Sequence, residues 1–235
     1  MAGGCPTRPR SRNLALAVQR SPDRLTGRLL DCGAVAGPLF VATFLIEGTR
    51  RRDYEPRRHP VSSLALGPGG WRQTANFMVA GSLYLAGAVG LARGSRATGR
   101  TRAGPVIVGS AAIGLVGAGV FTTDPVSGYP PGTPELQAGY TRTGALHDAF
   151  AAPTFLGLPV AQFVFARAFF RDRDRGWAWY SAMTGAVMCI TFVLASAAFG
   201  QVRRLVACGG LFQRISVVTG FSWLTAISIR ARRAL

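Results

Sequence analysis

The chain has only two histidines, His59 and His147, and each stands beside groups able to work with an imidazole. Ser62 and Ser63 follow His59, Asp148 is joined directly to His147, and Asp124 precedes a proline between them. His59, His147 and Asp124 offer two imidazoles and a carboxylate, adequate donors for Zn²⁺ with one position left open to water. The same stretch admits a Ser–His–Asp arrangement of Ser62 or Ser63, His59 and Asp124. Neither set has the spacing of a fixed motif, and there is no HExxH. The candidate catalytic residues are therefore His59, Asp124, His147 and Asp148, and the candidate metal ligands are His59, His147 and Asp124. Glu47, Ser62, Ser63 and Arg214 are candidates for ligand binding. The cofactor is left open, Zn being the metal that this donor set would take.

Plainer roles exist for each residue. His59-Pro60 and Asp124-Pro125 are ordinary turn dipeptides. Asp148 suits the positive end of a helix, Arg214 can snorkel to a headgroup, and Asp31 can pair with Arg28. The chemical reading needs elements that gather these side chains in one place, because ionisable groups clustered at a membrane mouth are functional candidates by default.

Those elements are apolar. Of the 235 residues 49% are hydrophobic and only 16% charged, and the charges fall between apolar blocks. The blocks span roughly 29–47, 75–92, 104–122, 149–170, 177–199 and 211–229, each long enough as a helix to cross a hydrocarbon core. They lack the alternation of a barrel strand. An all-α polytopic transmembrane bundle of six spans follows. Residues 1–28 form an Arg-rich cytoplasmic tail, expected to be disordered or to lie on the membrane, 29–230 the six-helix domain, and 231–235 a short cytoplasmic tail. Pro38, Pro153 and Pro159 are expected to kink their helices, while Gly33 and Gly37 form a GxxxG pair that suits packing within the bundle or a dimer.

A net charge of +17 invites comparison with nucleic-acid-binding proteins. Its distribution argues otherwise: all 27 basic residues are Arg, and they cluster at the ends of apolar segments. We read them as topology signals and contacts to anionic lipids. Placing both termini in the cytoplasm puts 17 Arg inside and nine outside, in keeping with the positive-inside rule. The first outer loop opposes it, with Arg50, Arg51, Arg52, Arg57, Arg58 and Arg72. This topology puts Glu47, His59, Asp124, His147 and Asp148 on one side of the membrane, where the loops 48–74 and 123–148 are longest. A multi-pass protein of the plasma membrane is the resulting expectation. Oligomeric state is not legible.

The succession HPVSSLALGPGGWRQTANFMVAGSLYLAG, GVFTTDPVSG and TRTGALHDAFAAPTFLGLPVA resembles the bacterial membrane family known as domain of unknown function 998, over about 33–233. The corresponding positions are His59 to Ser62, Phe121 to Pro125, and His147 with Asp148. The resemblance implies a six-helix bundle and, the family being uncharacterised, no reaction. Two functional classes follow from the residues. One is a membrane bundle whose polar cluster binds a small ligand, lipid headgroup or metal. The other is a membrane-embedded hydrolase, metal-dependent or of Ser/His type, acting on a lipid-linked substrate. A transporter is disfavoured because the middles of the spans are nearly free of ionisable groups. No Gly-rich phosphate loop is present, and too few histidines lie within spans to ligate haem.

Overall fold

Backbone groups in lipid must find partners within their own segment, which makes each apolar block a helix. The computed structural model describes residues 10–94, 101–137 and 139–235, with the side chains of the first helix described from Arg24 onward. The helices are α1 (Arg10–Arg50), α2 (Trp71–Arg93), α3 (Ala103–Val120), α4 (Arg142–Ala152), α5 (Leu158–Arg171), α6 (Arg175–Phe199) and α7 (Gly209–Arg233). A π turn, Pro153–Gly157, joins α4 to α5 in one rod. The fold is thus an all-α transmembrane bundle of six rods, with no strand among the described residues.

Five rods are individually long and apolar enough to cross a membrane. α7 falls short because its polar residues, Arg214, Ser216 and Ser228, are buried within the bundle, while Leu211, Ile215, Val218 and Ile229 face outward. Averaging over the helix hides an apolar outer face. α1 runs from Arg10 through residue 28, so the boundary expected there falls inside a helix; residues 1–9 of the expected tail lie outside the described residues. α1 also continues unbroken through Pro38. Pro153 offers no N–H to the preceding turn, and the wide π turn takes up the break.

The rods close a ring in chain order: α1 packs on α2 and α7, α2 on α3, α3 on the α4–α5 rod, α5 on α6, and α6 on α7. Small residues set the close approaches. A Cβ on Gly33 would lie 3.1 Å from the Gly87 Cα, and one on Gly37 would lie 2.8 Å from the Tyr84 hydroxyl. The GxxxG pair therefore packs inside the chain against α2 and α7. At one end of the ring Asp174 accepts from the Trp177 N–H and pairs with Arg230 at 2.7 Å. Asp31 there meets Arg232 of α7 at 3.2 Å, not Arg28.

The other end carries the long connections, 51–70, 121–141 and 200–208. The first is held by two guanidinium groups. Arg51 donates to the carbonyls of Leu64 (2.9 Å), Leu66 (3.2 Å) and Pro68. Arg214 reaches from α7 to the carbonyls of His59 and Gly210 (3.0 Å each), to Pro56 O and to the Tyr54 hydroxyl. Its planar face lies 5.7 Å from the Phe44 ring centroid and 5.6 Å from that of Tyr54. Burial pushes the Tyr54 pKa up to about 12, which keeps the phenol protonated to donate to Pro60 O at 2.9 Å. A further Arg of this loop pairs across loops, Arg58 with Glu135. Arg72, in the first turn of α2, pairs with Glu47 at 3.4 Å.

Removing the Arg214 fork would orphan the Pro56 carbonyl and leave that of His59 only a long bond from the Tyr54 hydroxyl at 3.4 Å. Arg214→Met should destabilise the protein by about 3 kcal/mol, and Arg214→Lys should recover little because an ammonium lacks the fork. Thermal unfolding in detergent, with proteolysis of residues 51–60 as a local probe, checks this.

Candidate functional site

Beneath the long connections lies a cavity of about 510 Å³, within the usual range of roughly 300–1,000 Å³ for small-molecule sites. All six rods contribute to it. Its walls are apolar, with Phe40, Phe77, Leu115, Phe192, Val217 and Phe221 among them, and its polar groups include Ser62, Asp124, Gln137, His147, Asp148 and Gln213.

His147 is 4% exposed. Its Nδ1 lies 2.9 Å from both the Ala118 and the Phe121 carbonyl oxygens, at the C-terminal end of α3. Two acceptors at one nitrogen require that nitrogen to carry the proton. In the neutral ring Nε2 then holds a lone pair, and no described residue donates to it. The ring stands edge-on to Phe77, with centroids 6.0 Å apart. Asp148 lines the same cavity. It does not cap its helix, because Thr141 does, accepting from the Gly144 N–H at 3.0 Å.

Asp124 is a structural carboxylate. It accepts from the Gln137 side chain (3.0 Å), the Thr141 N–H (2.9 Å) and the Thr141 hydroxyl (2.6 Å). These bonds close the second long connection and fix the start of α4, which sets where His147 and Asp148 stand. Gly144 leaves room for this carboxylate: a Cβ there would lie 2.0 Å from Asp124 Oδ2.

His59 is outside the cavity lining. Its Nδ1 accepts the Glu55 N–H at 2.9 Å, and its ring lies 5.5 Å from that of Tyr54 and 5.1 Å from that of Tyr129. Tyr129 comes from the second long connection, so this aromatic cluster joins the two loops. Burial, and then the Arg58 charge, lower the His59 pKa.

The two histidines thus serve different places. His59, His147 and Asp124 form no shared metal centre, and among the described residues no group of three or more His, Cys, Asp or Glu side chains could hold a metal ion. Nor does a Ser–His–Asp set form around His59: Nδ1 is occupied by Glu55, Asp124 by Thr141 and Gln137, and the buried Ser63 hydroxyl has no partner. Ser62 reaches the cavity. Glu47 is buried in ion pairs with Arg50 and Arg72, and Arg214 is engaged by loop carbonyls; neither lines the cavity. Sequence reasoning missed Gln137, Thr141, Tyr129 and Gln213, whose side chain accepts the Val61 N–H at 2.7 Å. Only Thr141 had a legible signal, a threonine just before a helix start.

Fold and cavity define a polytopic helical membrane protein with an internal chamber at one end. The chain belongs to the family described as a protein of unknown function (DUF998), which matches residues 34–230. No curated protein and no solved structure matches it.

Alanine ordinarily replaces a helical glycine with a gain of roughly 1 kcal/mol. Gly144→Ala should instead lower the thermal midpoint, and the loss should shrink in an Asp124→Ala background, a double-mutant cycle reporting the clash. A second outcome concerns pH. His59 holds its proton less tightly folded than at its ordinary pKa of 6.5, so the unfolded chain binds more protons as pH falls through that value. Stability should be complete above about pH 6.5, decline below it, and level off past the folded pKa. Melts of wild type and His59→Asn, which keeps an acceptor for the Glu55 N–H, should diverge in that window.

Proposed function

We propose that this protein binds an amphiphile in the chamber, with the polar head at His147 and Asp148 and the tail among the phenylalanines. One observation carries the reading: a nearly buried imidazole, its Nε2 without a donor among the described residues, lines a largely apolar cavity of about 510 Å³. A polar ligand group there would gain a hydrogen bond that no protein group supplies, while the walls would cover its apolar part. Access fits the seam between α4 and α6. α5 packs along α6, whereas α4 does not, and Leu156, Ser196 and Asp148 line the cavity while being exposed on the outside. An amphiphile would enter from the bilayer.

A hydrolase of Ser/His type has one observation in its favour, the placement of Ser62, His147 and Asp148 around the same chamber. No hydrogen bond joins Ser62 to His147 among the described residues, so binding is the better-supported reading. For topology we retain cytoplasmic termini in a plasma membrane. The first-loop Arg residues that opposed the positive-inside rule are largely engaged, Arg51 by carbonyls, Arg58 by Glu135 and Arg72 by Glu47. Exposed Arg102, Arg167, Arg171 and Arg233 at the opposite end suit anionic headgroups.

Ala195 lines the chamber and is buried. Protein purified in a non-ionic detergent should retain an amphiphile, seen by mass spectrometry of the extracted sample, and Ala195→Phe should reduce it severalfold. Equal retention by the two would mean that only annular lipid is present and would refute the reading.

A further inference from the structure

The chamber has a charge sign opposite to that of the chain. The net charge is +17, yet no described Arg lines the cavity, while two carboxylates, Asp124 and Asp148, do. The nearby guanidinium groups are turned elsewhere: Arg214 to loop carbonyls and the Tyr54 hydroxyl, Arg58 to Glu135, Arg51 to the residues 64–68 carbonyls. Asp124 is saturated by Gln137 and Thr141. Asp148 is not, having no ion-pair partner among the described residues.

Besides the neutral Ser62 hydroxyl and Gln213 amide, which can serve either kind of head, the lining offers a ligand two acceptors. The His147 proton is committed to the Ala118 and Phe121 carbonyls, leaving Nε2 to receive a hydrogen bond, and the Asp148 carboxylate can only accept. A phosphate or carboxylate head would bring further acceptors and a charge like that of Asp148, with no Arg in the lining to receive it. A primary ammonium brings several N–H donors and the complementary charge.

We propose that the chamber selects amphiphiles with a protonated amine head, held between His147 Nε2 and the Asp148 carboxylate, and discriminates against anionic heads of equal chain length. This deepens, and rests on, the amphiphile-binding reading above. The apolar walls are indifferent to headgroup charge, so the selectivity lies in Asp148 and in the fixed tautomer of His147.

The test is titration calorimetry of the full chain in a maltoside detergent at pH 7 with three probes of one chain length: dodecylamine, 1-dodecanol and dodecyl phosphate. Dodecylamine should bind wild type about tenfold or more tightly than dodecyl phosphate, as a charge-assisted hydrogen bond warrants. Asp148→Asn, an isosteric change at an exposed position, should bring the amine down to the level of the alcohol. His147→Leu should weaken amine and alcohol alike, because it removes the acceptor and leaves the Asp148 charge. Dodecyl phosphate binding as tightly as the amine, or an Asp148→Asn variant that keeps the amine preference, overturns the proposal. Failure of the underlying reading would look different: no probe would bind, or all three would bind Ala195→Phe as they bind wild type. Binding that is lost in Ala195→Phe but shows no headgroup preference would leave the chamber a site and remove only its selectivity.

Discussion

A loop without strands at the edge of a membrane must find donors for its carbonyls, and in this protein guanidinium groups supply them. Arg214 and Arg51 gather carbonyls of Pro56, His59, Leu64, Leu66 and Pro68. With those carbonyls fixed, Pro60, Val61 and Ser62 form part of the chamber wall. Lysine would not substitute: one ammonium presents a point charge, whereas the planar fork reaches two sites at once and stacks on Phe44 and Tyr54. The donor is brought by α7, so loop order and helix packing depend on each other. Orphaned carbonyls would carry a desolvation cost wherever the loop remained near the apolar mouth.

The second connection uses a carboxylate where the first uses cations. Asp124 accepts from three donors on Gln137 and Thr141, and Thr141 in turn caps α4. Its geometry sets the angle at which α4 leaves the loop and so the position of His147. The imidazole then bonds back to the end of α3, whose free carbonyls at a helix C-terminus attract a donor. Loop, cap and imidazole form one chain of dependence that ends at the Nε2 lone pair. Of two carboxylates that are similar in sequence, one is used up in holding the frame and the other is left facing the chamber.

The sequence conveys the frame better than the site for a physical reason. Lipid solvation acts on average hydrophobicity over a whole helix, and that average survives in linear order, which is why five rods stand out without any contact information. α7 shows the limit of an average: Ser216, Ser228 and Arg214 lower it although they face inward. Site chemistry depends on individual atoms. That His59 Nδ1 accepts while His147 Nδ1 donates is decided by main-chain groups of Glu55, Ala118 and Phe121, none of which is distinguishable as a letter in the sequence. His59 and His147 belong to a loop cluster and a chamber respectively. The excess of Arg in residues 50–72 looked anomalous for the same reason, since a charge engaged by a carbonyl or by Glu47 no longer reports topology as a free one would.

The π turn gives this arrangement its directionality. Pro153 cannot continue the hydrogen-bond ladder, and the wider turn at Pro153–Gly157 separates a lower segment, α5, that packs on α6 from an upper segment, α4, that packs on α3. At the break Thr154 donates to the Ala111 carbonyl at 3.2 Å, anchoring the rod to α3, and Phe155 stacks on Phe192 of α6 with centroids 4.8 Å apart. Below that stack the ring is closed; above it α4 stays with α3. Leu156 and Ser196, exposed on the outside, also line the chamber. The missing N–H of Pro153 thus falls where the rod changes its packing partner from α3 to α6.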